Sequence, residues 1–169
     1  PEQVGLESYD TNTKVNPPLR SRADVDAVIE ALSEGLIDII ATDHAPHAET
    51  DKVCTYDEAA HGINVLETAF SSVFELVGGS KISLNRLIES LTASPAKILN
   101  RDLGSLKQGF SADVAIIDPT SKWVVNPQEF ISKSANSPLD GVELTGRVVR
   151  TIYQGETVFD MVTSAGARA

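Results

Sequence analysis

A short apolar run in this sequence is followed at once by acid and imidazole side chains. The apolar residues of 37–41 predict a short buried strand of the kind found in parallel sheets. Directly after it, the chain supplies an aspartate and two histidines, Asp43, His44 and His47. In an α/β barrel the catalytic groups lie at the carboxyl ends of the strands. Asp43 is therefore the strongest candidate for a catalytic residue.

Two other interpretations of this region stay open. An aspartate after a strand is often only a cap or turn former, and a histidine in a loop is often only solvated. Cys54 lies among acids in the polar, irregular stretch 45–62, not far in sequence from His47 and His61, which raises the question of a metal site. The spacing fits no paired Cys/His ligand pattern, and this argues against such a site.

Helices are predicted on both sides of the Asp43 region. Ser21 has the character of an N-cap, with Asp24 in the first turn, and Gly35 predicts the end of that helix. The order of helix, glycine turn, buried strand and strand-end acid is typical of a β/α barrel. Further helices are predicted over Val65–Val77, from a Ser83 cap through Leu91, and over Pro95–Leu99.

The chain changes character near residue 100, where helical periodicity gives way to short β-rich runs separated by turns. The predicted strands are Val114–Ile117, Trp123–Val125, Val142–Leu144, Val148–Tyr153 and Thr157–Phe159. We therefore predict two parts, residues 1–100 as part of a barrel and residues 101–169 as a small β-domain, to which Asn136-Ser137-Pro138 is also attributed. Residues 1–20 predict a loop, and Met161–Ala169 predicts a frayed tail.

Composition and charge exclude several classes of partner. The 169 residues include 14 Lys and Arg against 24 Asp and Glu, a formal net charge of −10 at pH 7. Because phosphate binding needs clustered cations, this argues against nucleic acid or an anionic membrane as a partner. No apolar run approaches the ~20 residues of a membrane span. The single cysteine fits a reducing cytosol, so we expect a cytoplasmic protein. The start at Pro1, within a polar segment, suggests a fragment or a processed product.

Three motifs carry a family resemblance: DTNTKVNPPLR at Asp10–Arg20, ATDHAPH at Ala41–His47 and HGINVLETAF at His61–Phe70. Together they resemble dihydroorotases of the bacterial type I group, within the amidohydrolase superfamily. The G-x-L-x-x-G-x-x-A-D-V pattern at Gly104–Val114 is similar to that of amidohydrolases generally. The resemblance covers nearly all of this chain but only the C-terminal portion of such an enzyme. It implies an α/β fold, the C-terminal part of a (β/α)8 metal-dependent hydrolase barrel plus a small β-sandwich domain.

The resemblance also implies a reaction and roles for residues. The reaction is the zinc-dependent, reversible cyclisation of N-carbamoyl-L-aspartate to L-dihydroorotate in pyrimidine biosynthesis. Asp43 is implied to be the catalytic acid/base and a zinc ligand. Asn16 is implied to hydrogen-bond the substrate ring, and His47 to bind the substrate's carboxylate. The backbone around His61 and Gly62 is implied to hydrogen-bond the ring, since glycine permits a close approach.

Most zinc ligands of the family are absent from this chain. The family draws them from earlier barrel strands, as an H-x-H pair, a carboxylated lysine and two further histidines, whereas this chain has three histidines and no H-x-H. Because a catalytic zinc wants three protein ligands, we expect the chain alone to be inactive. A truncated barrel exposes apolar edges, so we also expect a homo-oligomer or association with the missing N-terminal half.

Other functions are compatible with the same motifs. Dihydropyrimidinase, hydantoinase and allantoinase share the barrel and the sandwich, although the second histidine of ATDHAPH and the NPPLR loop favour dihydroorotase. The chain could instead belong to a catalytically inactive dihydroorotase-like subunit that is a scaffold for aspartate transcarbamoylase. The protein could also be a purely structural β-sandwich adaptor, but Asp43 and the histidines that follow it would then have no function.

Overall fold

Helices come first in the chain and a small antiparallel sheet follows them. The computed structural model describes residues 9–161, so the ends of the predicted loop and tail, 1–8 and 162–169, lie outside the described residues. The helices are α1 Arg22–Glu34, α2 Ala69–Gly78, α3 Leu84–Leu91 and α4 Ala93–Ile98, and the strands are β1 Val114–Val124, β2 Glu143–Tyr153 and β3 Glu156–Asp160. Short 3-10 turns occur at Thr11–Thr13, Glu49–Asp51 and Pro127–Glu129. None of the helices between residues 9 and 161 has the length and apolar character needed to cross a membrane.

Helix α1 begins and ends where the sequence predicts. The Ser21 hydroxyl accepts a hydrogen bond from the Asp24 N–H, and the Asp24 carboxylate accepts one from the Ser21 N–H at 3.1 Å, which together form a capping box. The Ser21 hydroxyl also donates to the Asp24 carboxylate at 2.7 Å, and this hydrogen bond, together with that from the Ser21 N–H, holds the pKa of Asp24 below its ordinary value. Gly35 ends the helix with a φ of 80°, a left-handed conformation that glycine adopts without a side-chain penalty.

The predicted strand at 37–41 is not present as a strand. A strand is defined by its hydrogen-bonded neighbours, and among residues 9–161 the only pairing in this region is an isolated parallel bridge between His44 and Ile63. The segment is also not fully buried, since Ile37, Ile39 and Ile40 are half-buried and the residues between and after them are exposed.

Helix α3 nevertheless holds this segment in place. Its Leu87 is fully buried and packs with Leu32 of α1 and with Ile37 and Ile40. The Arg86 side chain donates to the carbonyls of Leu32 and Ile37. The Ile40 N–H donates to the Ser90 carbonyl at 3.0 Å.

Two other helices begin elsewhere than predicted. Helix α2 begins at Ala69 instead of Val65, because residues 66–68 form a turn before it. Helix α4 spans Ala93–Ile98 instead of Pro95–Leu99. The first N–H groups of a helix have no intrahelical partner, so a proline is tolerated within the first turn and need not mark the first residue.

The sheet is simpler than the sequence pattern suggests. The predicted runs Val114–Ile117 and Trp123–Val125 fall largely within one strand, β1, and those at Val142–Leu144 and Val148–Tyr153 within β2, with register shifts between the paired strands. The strand order is β1-β2-β3 and both pairings are antiparallel. The described residues form this one sheet, so the second layer of a sandwich stays a prediction.

Helix α2 packs against the sheet at a glycine. Gly146 in β2 has a φ of 82°, and a Cβ atom there would lie 2.7 Å from Cδ1 of Phe74 and 3.2 Å from Cε1 of Phe70. These two rings are stacked, with their centroids 5.2 Å apart. The Ser71 hydroxyl donates to the Gly146 carbonyl, and the Trp123 indole donates to Ser71 Oγ at 3.3 Å. The helix therefore lies directly on the backbone of β2.

A Gly146→Ala substitution tests this contact, with Gly155→Ala as the matched control. Both glycines have a left-handed φ, but a Cβ at Gly155 would have no neighbour within 4 Å. Each variant bears the left-handed penalty of about 1–2 kcal/mol. We expect Gly146→Ala to lose a further ~1–3 kcal/mol from overpacking, measured as the free energy of unfolding in denaturant. Equal losses in both variants would show that α2 does not pack on Gly146.

Candidate active site

Four of the five predicted site residues line one pocket. Asn16, Asp43, His61 and Gly62 surround a cavity of about 190 Å³. The other lining residues are Val15, Pro17, Thr42, Ile63 and Val65. Three separate segments of the chain, near residues 16, 43 and 62, therefore converge on one small concave site.

Asp43 occupies an unusual backbone position at the edge of this pocket. Its φ is 47°, in the left-handed region that aspartate tolerates better than most residues. The side chain is exposed. Asp43 directly precedes the His44–Ile63 bridge, and the Ala45 N–H donates to the Ile63 carbonyl at 2.9 Å. An accessible carboxylate in a pocket can accept and return a proton.

Gly62 allows two segments to approach one another more closely than any side chain would permit. Its φ is 144°, and a Cβ atom there would lie 2.5 Å from Ala45 Cβ and 2.8 Å from His47 Nε2. The Gly62 N–H donates to the Lys14 carbonyl at 2.9 Å. The Gly62 carbonyl accepts from Asn136 Nδ2 at 3.1 Å. Because its N–H already has a partner, the pocket wall at Gly62 is fixed by the protein itself.

His47 packs against Gly62 and is not one of the residues that line the cavity. Its Nε2 is 3.0 Å from the carbonyl oxygen of His61. A carbonyl can only accept, so Nε2 must carry the proton of this hydrogen bond. Nδ1 is then the ring nitrogen left for another partner, and it lies 4.0 Å from Asp51 Oδ2.

Lys52 is a buried cation that the sequence interpretation did not single out. Its Nζ donates to the Thr11 carbonyl at 3.0 Å and to the Ala60 carbonyl at 2.7 Å. The Thr11 hydroxyl donates back to the Lys52 carbonyl at 2.6 Å. Burial lowers the pKa of the Lys52 ammonium. Lys52 thus joins the segment leading to Asn16 with the segment leading to His61.

Asn136 was attributed to the β-domain alone, yet it also contacts the pocket walls. It is buried, and its side chain hydrogen-bonds the backbone of Ala45, His47 and Gly62. The one available signal was the length of the connection between the strands predicted before and after it, since long loops in compact domains are often functional. Side-chain spacing gave no indication of this contact.

A larger groove of about 860 Å³ lies elsewhere, on the sheet. Its lining is mostly apolar and includes Leu66, Trp123, Phe130, Val148 and Phe159. None of the predicted site residues lines it. The smaller pocket is therefore the candidate active site, because it brings together the residues that the sequence motifs single out.

The residues present do not fit a complete zinc site. Within residues 9–161 there is no group of three or more His, Cys, Asp or Glu side chains that could hold a metal ion. A catalytic zinc ordinarily takes three protein ligands, and Asp43 offers one carboxylate. His44 uses Nδ1 to accept from the N–H groups of Val65 and Leu66 at 3.2 and 3.3 Å. A zinc site at this pocket therefore needs ligands beyond those that residues 9–161 supply.

The described residues form an α/β domain with a small concave site, and comparison with known proteins identifies its family. A sequence model described as the amidohydrolase family matches residues 9–158. The chain therefore belongs to the amidohydrolase family. It is similar to the dihydroorotase of Syntrophus aciditrophicus, with 45% identity over 152 residues, and to that of a Thermoanaerobacter species, with 49% identity over 150 residues.

These matches cover most of this chain and about a third of each relative. The dihydroorotase alignments span 90% and 88% of this chain but 36% and 35% of the relatives. Among solved structures, the L-hydantoinase of Arthrobacter aurescens matches with a TM-score of 0.88 and 31% identity, over 95% of this chain and 37% of that one. The dihydropyrimidinase of Brevibacillus agri matches at 22% identity with a TM-score of 0.84, over 94% of this chain and 36% of that one, and supports the fold. The predicted resemblance to dihydroorotases is confirmed.

A Lys52→Met substitution tests the contribution of the buried lysine to this architecture. Methionine keeps the apolar length but removes the donor to the Ala60 carbonyl, whereas the Thr11 carbonyl keeps the hydrogen bond from the Lys14 N–H at 3.0 Å. We expect the free energy of unfolding to fall by about 1–3 kcal/mol, the usual cost of leaving a buried polar group unpaired. Lys107→Met is the control, because that side chain is exposed and its loss should change stability by less than about 0.5 kcal/mol. Equal losses of stability in Lys52→Met and Lys107→Met would contradict a stabilising role for the buried Lys52 side chain.

The wild-type protein and Lys52→Met should also differ in how their stability depends on pH. The folded-state pKa of Lys52 lies below its ordinary value of 10.5, so at alkaline pH the unfolded chain holds more protons than the folded one. Stability contributed by Lys52 therefore rises as the pH increases through the lowered pKa toward 10.5. The stability difference between wild type and Lys52→Met should be constant near neutral pH and larger at alkaline pH. A difference that shrinks there would contradict the burial of a charged lysine.

Proposed function

We propose that the full-length protein to which this chain belongs is a dihydroorotase, which interconverts N-carbamoyl-L-aspartate and L-dihydroorotate in pyrimidine biosynthesis. The observation that carries the proposal is the convergence of Asn16, Asp43 and the His61–Gly62 backbone on one pocket. The names of the similar relatives support the choice of substrate.

In this proposal Asp43 is the catalytic acid/base. In the hydrolytic direction its carboxylate takes the proton from the attacking water and returns it to the departing ring nitrogen. In the biosynthetic direction the steps reverse, and Asp43 accepts the proton that the carbamoyl nitrogen loses. The exposed position of Asp43 at the pocket edge supports this role, because the carboxylate can reach both the ligand and water.

In this proposal Asn16 and the His61–Gly62 backbone recognise the substrate ring. The amide side chain of Asn16 offers a donor and an acceptor, which suits a cyclic diamide. The His61–Gly62 backbone contacts the ring in this proposal because both residues line the pocket. We propose that His47 binds the substrate's carboxylate through Nδ1, which requires the imidazolium form, because Nε2 already donates to the His61 carbonyl and only a protonated Nδ1 can donate to a carboxylate.

The remaining parts of the enzyme lie outside this chain in our proposal. Bound zinc, with Asp43 as one of its ligands, would polarise the amide carbonyl and activate water. The other zinc ligands, the rest of the barrel and the second layer of the β-sandwich come from the part of the protein outside this chain. The chain matches about 36% of the length of the relative from Syntrophus aciditrophicus. Homo-oligomerisation, a cytoplasmic location and association with aspartate transcarbamoylase stay predictions.

The chain on its own should have no dihydroorotase activity, since it does not fit a complete metal centre. This is checked by assaying a homogeneous preparation of the 169-residue chain with added zinc, beside the full-length protein. Turnover by the chain alone would contradict the prediction.

A second candidate function is hydrolysis of hydantoins or dihydropyrimidines. The similarity to the L-hydantoinase of Arthrobacter aurescens, at 31% identity, favours keeping it. A substrate panel on the full-length protein separates the two functions, because dihydroorotate carries a carboxylate that simple hydantoins and dihydropyrimidines lack. Preference for the uncharged rings would overturn the dihydroorotase proposal.

An Asp43→Asn substitution in the full-length protein tests the catalytic role. Asparagine is nearly isosteric but cannot act as a base, so we expect kcat to fall by about 10²–10⁴-fold in both directions. Asp38→Asn is the matched control, because Asp38 is exposed in the same segment and does not line the pocket. Measurement of bound zinc in each variant distinguishes loss of the base from loss of the metal. An unchanged kcat in Asp43→Asn would contradict the role of Asp43 as the catalytic acid/base.

A further inference from the structure

We propose that Asn136 is a positioning residue for the active site, because its side chain holds the segment of Ala45 and His47 against the Gly62 backbone that lines the pocket. The residue belongs to the connection between β1 and β2, beyond the predicted boundary at residue 100. The β part of the chain would then determine substrate affinity at a pocket built by the helical part. This inference rests on the proposed function for its kinetic test.

The Asn136 amide contacts three backbone groups. Nδ2 donates to the Ala45 carbonyl at 3.2 Å and to the Gly62 carbonyl at 3.1 Å, while Oδ1 accepts from the His47 N–H at 3.1 Å. Both amide protons and the amide oxygen are therefore used. Asn136 is 6% exposed, so water cannot readily replace these hydrogen bonds.

These contacts tie together two segments that must keep a fixed separation. Ala45 and His47 follow Asp43 in the chain, whereas Gly62 belongs to a separate segment that also carries His61. The Gly62 Cα already lies against Ala45 and the His47 ring, where even a methyl group would not fit. A single side chain that hydrogen-bonds both segments thus holds this close packing in register.

Neighbouring residues hold Asn136 itself in place. The Asn64 N–H donates to the Asn136 carbonyl at 2.9 Å, and the Ser134 hydroxyl donates to the His47 carbonyl at 2.6 Å. The Asn64 side chain also donates to the Ser134 carbonyl. Polar side chains of the connection between β1 and β2 therefore fasten it to the Ala45–His47 segment and to the segment of Gly62 and Asn64.

An aspartate cannot substitute for Asn136 here. The carboxylate has no proton to donate, so it would face the carbonyl oxygens of Ala45 and Gly62 with like partial charge. The backbone N–H of His47 would keep an acceptor. The expected result is a displaced pocket wall with an unchanged Asp43.

The test compares Asn136→Asp with Asn126→Asp in the full-length protein. Asn126 is exposed and caps the 3-10 turn at Pro127–Glu129, so the control makes the same change of charge away from the site. For Asn136→Asp we expect the KM for L-dihydroorotate to rise by about tenfold or more, with kcat changed by less than about threefold. Asn126→Asp should leave both constants unchanged.

The split between KM and kcat separates positioning from a purely structural role. Loss of folded protein would lower the apparent kcat and leave KM as it is, and that result would overturn the proposal. If Asn136→Asp does not fold, Asn136→Ser decides, because its hydroxyl keeps one donor; we expect a smaller rise in KM. An unchanged KM in Asn136→Ser would then overturn the proposal.

Amide hydrogen exchange tests the same contact without any assay of activity. In Asn136→Ser the His47 N–H loses its acceptor, so its exchange rate should increase at least about tenfold, whereas Asn126→Ser should leave it unchanged. If the wild-type protein does not turn over L-dihydroorotate, the proposed function fails and the exchange rates alone decide the role of Asn136. Unchanged exchange at His47 would overturn that role.

Discussion

The close approach of the Gly62 backbone to Ala45 and His47 is the constraint on which the rest of the site depends. Because a Cβ atom at Gly62 would lie 2.5 Å from Ala45 Cβ, only glycine lets these two segments meet. The parallel bridge between His44 and Ile63 continues the contact. The Gly62 N–H then brings in a third segment through the Lys14 carbonyl. The pocket exists because these three segments share one junction.

Buried polar side chains, and not a large apolar core, hold that junction together. The Lys52 ammonium donates to two backbone carbonyls, and the Asn136 side chain hydrogen-bonds three backbone groups. Polar contacts of this kind are directional, so they specify one arrangement where apolar packing tolerates several. The main apolar cluster, around Leu87, instead supports the segment that leads to Asp43. Geometry at the site and stability of the helices thus come from different interactions.

The sequence predicted best what local rules determine. The capping box of Ser21 and Asp24 and the left-handed Gly35 set the bounds of α1, and the Ser83 cap set the start of α3. The strand at 37–41 failed, since a parallel strand exists only with neighbours that the described residues do not supply. The structural roles of Lys52 and Asn136 were not predictable from the sequence, for a related reason. Their partners are distant in sequence, up to 91 residues away for Asn136, and no pattern of spacing encodes such contacts.

Asn16 and the roles of the pocket residues came from the family resemblance, while the grouping of four of them around one cavity came from the structure. The most direct test of our account is a crystal structure of the full-length protein with L-dihydroorotate bound. The account predicts the ring between Asn16 and the Asp43 carboxylate, with the Asn16 amide within about 3.2 Å of a ring oxygen or nitrogen. A ring bound outside this pocket, or one that contacts neither residue, would contradict it.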